Sequence, residues 1–205
     1  MVLKKIFVLG DSISIHYGPS LKNMLEGTFE YDRKGGEELA LKDLNNPMGA
    51  NGGDSGMVLD FLTEQNRDGL MNYDILLLNC GLHDIKTGPE TGKHQVDIEK
   101  YKQNLKDVLA MMKKAGITVI WVRTTPVDDE IHNSKMKQFR RYSRDLEKYN
   151  AAADIIMNES GIAGIDLYSF TKALGSDVFC DHVHFKEEIR TLQAAFIAGY
   201  LQSLK

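Results

Sequence analysis

Four short fragments of this 205-residue chain carry residue types that can do chemistry together. They are Gly10-Asp11-Ser12, Gly53 within Asn51-Gly52-Gly53-Asp54-Ser55, Gly81-Leu82-His83-Asp84, and Asp181 followed three positions later by His184. A serine hydroxyl is a weak nucleophile until a base takes its proton. Histidine suits that work near neutral pH, and a carboxylate on its second ring nitrogen fixes its orientation. The Asp181-x-x-His184 spacing can place both side chains on one side of a helical turn or tight loop, leaving the other imidazole nitrogen for Ser12. Attack on an ester carbonyl also needs two or three donors aimed at the developing oxyanion. The candidates are the N–H of Ser12, the N–H of Gly53 with no side chain in the way, and His83.

Each fragment also has a plainer reading. Gly-Asp-Ser suits a strand-ending turn and a helix cap. Gly53 suits a flexible turn, His83 a satisfied loop histidine, and the Asp181–His184 stretch a polar loop before the last helix. His182 is a rival base, although a residue adjacent to the aspartate usually points elsewhere. Asp177 is a rival orienting carboxylate, but three positions after it stands Cys180. Asn79, the nearest asparagine to the third fragment, precedes its glycine.

Apolar periodicity supplies the frame that must position these residues. Strands are predicted at 6–9, 74–79, 117–122 and 165–167, with a weaker one at 29–32. The 74–79 run is apolar almost throughout, as a strand covered on both faces should be. Helices are predicted from about 20 to 26, over 55–65, over 96–114 with Gly116 ending it, over a long 134–159, and over 186–204. Residues 34–54 and 85–94 read as loops over the site. Strands alternating with helices imply a parallel sheet with helices on both faces. Functional groups then gather at the carboxyl ends of the strands, where all four fragments fall.

Composition narrows the classes. A net charge of −4 and a pI near 5.9 give no basic footprint for nucleic acid. The cations Lys135, Lys137, Arg140, Arg141, Arg144 and Lys148 alternate with Asp145 and Glu147, and read as a solvated helix face. Two cysteines, Cys80 and Cys180, cannot make a disulfide framework, though both sit beside proposed site segments. The six histidines form no metal-ligand pattern, so no metal and no cofactor are expected. No apolar run approaches the ~18 residues of a membrane span. The N-terminus mimics a signal peptide, but its apolar part is too short and no small-residue cleavage site follows. A cytoplasmic setting is expected, with a secreted or periplasmic one only if a leader precedes this sequence. His16 and Tyr17 either line the site or only cover the first helix.

The fragments, in this order on five βα units, resemble the SGNH (GDSL-type) hydrolases over essentially the whole chain. That resemblance implies a single SGNH domain over 1–205, a three-layer α/β/α sandwich with a five-stranded parallel sheet, flavodoxin-like, and ester hydrolysis through an acyl-serine. It assigns Ser12 as nucleophile and first oxyanion donor, Gly53 as second donor, His184 as base and Asp181 as its partner. The family's third block usually reads Gly-x-Asn-Asp, and its asparagine is the third donor. Here His83 stands in that place, and a neutral imidazole can still donate one N–H. The expected activity is a serine esterase on a small-molecule or carbohydrate ester with a short acyl group, such as O-acetyl. A lysophospholipase or thioesterase is the alternative of like chemistry. A non-catalytic carbohydrate-binding or scaffolding module is the alternative of another class.

Overall fold

The structure is a computed structural model and describes residues 2–204. Five strands run β1 (Lys5–Leu9), β2 (Glu30–Arg33), β3 (Ile75–Leu78), β4 (Thr118–Val122) and β5 (Ala163–Ile165). All pair in parallel, in the order β2-β1-β3-β4-β5. The sequence Ile-Leu-Leu-Leu of β3 is buried at every position, because helices cover the central strands on both faces. The α/β class with its five-stranded parallel sheet is therefore the one expected.

Eight helices surround this sheet among the described residues: α1 (Ser12–Leu25), α2 (Glu37–Ala40), α3 (Ser55–Arg67), α4 (Ile98–Ala115), α5 (Asp129–Lys135), α6 (Ser143–Glu159), α7 (Leu167–Ala173) and α8 (Glu187–Ser203). Their ends are written in the sequence. Asp97 caps α4 by accepting from the N–H groups of Glu99 and Lys100, and Gly116 closes it in the left-handed region at φ 72°. Trp121, Tyr101, Tyr149 and Phe185 are among the largest fully buried side chains and join the strand residues in one core.

Topology decides where a site can form. The chain leaves β1 toward β2 on one side and later fills the other side with β3, β4 and β5. The switch point lies between β1 and β3, and sheets of this kind place their functional groups beyond the carboxyl ends of the two strands that flank it. In register, Leu9 lies opposite Leu78, and Leu78 opposite Trp121. The fragments that follow β1 and β3 thus emerge side by side.

Several elements differ from expectation, among them β5, which lies at Ala163–Ile165 and not at 165–167. The first helix begins at Ser12, eight residues before the predicted start, because Asp11 caps it and the Gly18-Pro19 pair lies inside it. The predicted 134–159 helix is two helices. Asp128 starts α5 by accepting from the Ile131 N–H, and Met136 turns extended (φ −95°, ψ 123°). Residues 137–142 are not helical, and Arg140 exchanges backbone hydrogen bonds of 2.8 Å with Thr87. Polarity alternates smoothly through this break, so periodicity could not reveal it. The short α2 and α7 were not anticipated. Cys80 is buried, Cys180 is exposed, and both are free thiols.

Pro19 is exposed and sits mid-helix in α1, where it removes the hydrogen bond that Ile15's carbonyl would accept. Pro19→Ala is expected to raise the unfolding free energy by about 1–2 kcal/mol, the restored helical bond outweighing the added freedom of the unfolded chain. Urea denaturation checks this; a loss of stability would mean that α1 depends on the proline for its course.

Candidate active site

Ser12 is the first residue of α1. Asp11 precedes it as N-cap, its Oδ1 accepting from the Ile13 N–H at 2.9 Å, while the Ser14 hydroxyl donates to the Asp11 carbonyl at 2.7 Å. This clamp engages the N–H groups of Ile13, Ser14 and Ile15 with Asp11 and leaves that of Ser12 at the helix N-terminus. No acceptor among the described residues engages the Ser12 N–H. Asp11 is buried, and burial raises its carboxyl above the ordinary range against the pull of the Ile13 N–H and the charges of Arg141 and His184.

The Asp181–His184 loop lies against this serine. His184 Nε2 is 2.8 Å from Ser12 Oγ, and His184 Nδ1 is 2.6 Å from Asp181 Oδ2. Asp181 Oδ1 accepts from the N–H groups of Val183 and His184, each at 2.7 Å. The three-residue spacing thus folds as a tight loop in which one carboxylate oxygen organises the backbone and the other takes the imidazole. Partial burial pushes the Asp181 carboxyl up, but the His184 ring and these two N–H groups hold it well below the usual carboxylate range. Asp181 therefore stays ionised and keeps the His184 proton on Nδ1, leaving Nε2 to face the serine.

The rival residues are engaged elsewhere. His182 Nδ1 lies 3.0 Å from His132 Nδ1, and Asp177 pairs with Lys186 at 2.7 Å. Asn79 donates to the Val122 carbonyl at 2.8 Å and to Thr124 Oγ1 at 3.2 Å, tying β3 to β4. His16 does line the site: its ring meets that of His184 edge-on at 4.9 Å. Tyr17 instead points into the core.

The oxyanion candidates divide. Gly53 adopts φ 73°, and a Cβ there would lie 2.5 Å from Met57 Sδ and 2.9 Å from Pro47 Cβ, so only glycine fits. The Gly52 N–H donates to the Gly10 carbonyl at 2.8 Å, which presses this turn against the nucleophile's turn. The Gly53 N–H is not free, however; it donates to Asn51 Oδ1 at 3.0 Å. An oxyanion would have to share that N–H or displace the amide. His83 is 1% exposed, and its Nδ1 is buried without a partner. A proton on Nδ1 would be an orphaned donor, so the tautomer that suits the site carries its proton on Nε2. Burial, then the charges of Lys86, Arg141 and His184, hold this imidazole far below its ordinary range, hence neutral.

Three supporting residues were not singled out from sequence. Asp84 is fully buried, and both its oxygens accept from the Ser55 N–H, at 3.0 and 3.1 Å. Asn104 donates to Ser55 Oγ at 2.9 Å. This network ties the loop of His83 to the start of α3, two residues beyond Gly53. Burial pushes the Asp84 carboxyl up to about 7, against hydrogen bonds from Ser55. Asn51 is the third, through its bond to Gly53. The only signals were a carboxylate beside His83 and the Asn-Gly-Gly-Asp-Ser run itself.

Asp181, His182 and His184 each bring a donor atom within 4.8 Å of the others, a set that a transition-metal ion could use. Asp181 and His184 already spend their facing atoms on each other and on Ser12. Among the described residues no helix is long and apolar enough to cross a membrane.

Comparison with known proteins agrees with this fold. No curated protein sequence matches the chain. Among solved structures, the lipase/acylhydrolase from Enterococcus faecalis superposes with a TM-score of 0.71 at 16% identity, over 98% of this chain and 96% of that one. A GDSL-like lipase from Bacteroides thetaiotaomicron gives 0.69 at 16% identity, over 98% and 89%. An acetyl xylan esterase gives 0.69 at 17% identity, over 96% and 99%. These structures share the fold. The model of the GDSL-like lipase/acylhydrolase family matches residues 8–189, from within β1 into α8, and this chain belongs to that family.

Proposed function

We propose that the chain is a serine ester hydrolase working through an acyl-serine. The observation that carries this reading is the unbroken line from Asp181 through His184 to Ser12, with bonds of 2.6 and 2.8 Å. His184 takes the Ser12 proton as Oγ attacks the ester carbonyl carbon. The carbonyl oxygen becomes an oxyanion held by the Ser12 N–H, His83 Nε2–H and, once Asn51 shares it, the Gly53 N–H. Collapse breaks the C–O bond, and the alcohol leaves with the proton from His184. Water then gives a proton to His184 and attacks the acyl carbon; the acid departs and Ser12 regains its hydrogen. Of these donors His83 is the least ordinary, since it replaces an amide with an imidazole.

The acyl group is taken to be short, and acetyl on a carbohydrate is the preferred substrate. Ser12 is only 4% exposed, and the His16 ring stands edge-on to its base His184, which supports a small and polar acyl site. The acetyl xylan esterase among the similar structures is consistent with that choice. One observation favours the longer-chain alternative of a lysophospholipase or thioesterase: Leu39, Leu41 and Met48 stand exposed on the segment that leads to Gly53. A non-catalytic binding role leaves the intact relay without a purpose.

A nitrophenyl ester series separates these readings. Turnover is expected to peak at about two to four acyl carbons, because each further CH2 gains ~0.8 kcal/mol only where apolar space receives it. A peak at about eight carbons or more would favour the lipid-type substrates. Ser12→Ala should lose at least ~10³-fold in kcat on every ester, and retained turnover would refute the acyl-serine route. His83→Ala should lower kcat roughly 10²-fold with KM little changed, as loss of an oxyanion donor does. Wild-type turnover in a folded His83→Ala protein would remove this residue from the mechanism.

A further inference from the structure

We propose that Arg141 is a positioning residue of the oxyanion site: its guanidinium grips the carbonyl of Leu82 and so aims His83 at the carbonyl oxygen of the substrate. This rests on Ser12 as nucleophile and His83 as donor. In the sequence Arg141 looked like one cation on a solvated helix face. It is instead 2% exposed and lies in the non-helical 137–142 segment.

Its surroundings are built for a fixed placement. Arg141 Nε donates to the Leu82 carbonyl at 2.7 Å, the peptide immediately before His83. Asn133 clamps the Arg141 backbone in both directions, accepting from its N–H at 3.1 Å and donating to its carbonyl at 2.9 Å. The guanidinium lies 4.9 Å from the Phe139 ring. Next door, the reciprocal backbone bonds between Arg140 and Thr87 tie the same segment to the chain just beyond His83. The His83 loop is therefore held on both sides by one segment.

A merely structural cap for Leu82 does not need a charge. Burying an ion without a partner costs several kcal/mol, and a neutral amide could serve one carbonyl. Yet no ion pair is formed by Arg141 among the described residues, and its Nη1 is buried with no partner at all. Its charge is answered only at longer range, by Asp11 before α1 and Asp181 in the relay loop. The histidines around it, His83, His132 and His182, are all held neutral in part by that charge, with burial the larger cause. His83 Nδ1 has no acceptor to receive a second proton. Together with burial, a cation beside the loop thus disfavours a second proton on His83 and keeps its imidazole neutral.

The test is a double-mutant cycle on a nitrophenyl ester, with Arg141→Gln, Arg141→Lys, His83→Ala and the double variant Arg141→Gln/His83→Ala. Arg141→Gln is expected to lower kcat by at least about tenfold with KM within about twofold. Arg141→Lys keeps a charge and a donor and should recover most of that loss. The double variant should be no slower than His83→Ala by more than about threefold, because Arg141 acts through His83. Wild-type kcat in Arg141→Gln, fully multiplicative losses in the double variant, or a lysine variant as slow as the glutamine one would overturn the proposal. Should Arg141→Gln fail to fold, Arg141→Met, of similar length and with no donor for the Leu82 carbonyl, takes its place in the same cycle, with the same loss expected and the same outcomes overturning the proposal. If instead Ser12→Ala retains activity, it is the acyl-serine reading that falls.

Discussion

One hydrogen bond joins the two ends of this fold. The 2.8 Å contact from His184 Nε2 to Ser12 Oγ links residues 172 positions apart, and nearly every feature of the architecture bears on it. Ser12 is placed by the end of β1 and the cap of α1. His184 is placed by a narrow loop in which Cys180 and Lys186 donate to the carbonyls of His184 and Val178, at 2.8 and 2.9 Å. The loop leads into α8, and α8 packs along α1. A shift of α8 along α1 would open the relay, so catalysis and core packing share one constraint.

Around that bond the site is buried and unevenly charged. Asp11, Asp84 and Arg141 are buried ionisable groups at one strand end, and none has an ion-pair partner within the described residues. In such surroundings dipoles and charges act with little solvent screening. The hydrogen bonds that cross between loops are correspondingly effective: Gly52 to Gly10, Ser55 to Asp84, Arg141 to Leu82, and Lys86 Nζ to the Asn45 carbonyl at 2.8 Å. They join segments from four connections of the sheet into one preorganised rim.

Much of this was legible in the residues. The strands 6–9, 74–79 and 117–122 announce themselves as apolar runs, because buried parallel strands tolerate nothing else. Asp181 and His184 are local enough that their spacing implies their pairing. What escaped depends on contacts remote in sequence. Gly18 and Pro19 look like breakers, yet the packing of α1 overrides their local preference. The break at 136–142 hides in a continuous charge pattern. Arg141 carries no mark that sets it apart from its exposed neighbours, since its burial is decided by Leu82, nearly sixty residues earlier. Gly53 stands out in the sequence as an N–H with no side chain in the way, while Asn51, two residues before it, is the group that occupies that N–H.

The central claim is that Ser12 is a nucleophile activated by His184. Its most direct test is reaction of the folded protein with a fluorophosphonate, followed by intact-mass measurement and peptide mapping. The account predicts one adduct per chain, on the peptide bearing Ser12, with labelling greatly slowed in His184→Ala. A folded protein that remains unlabelled, or that carries the adduct on another residue, would contradict it.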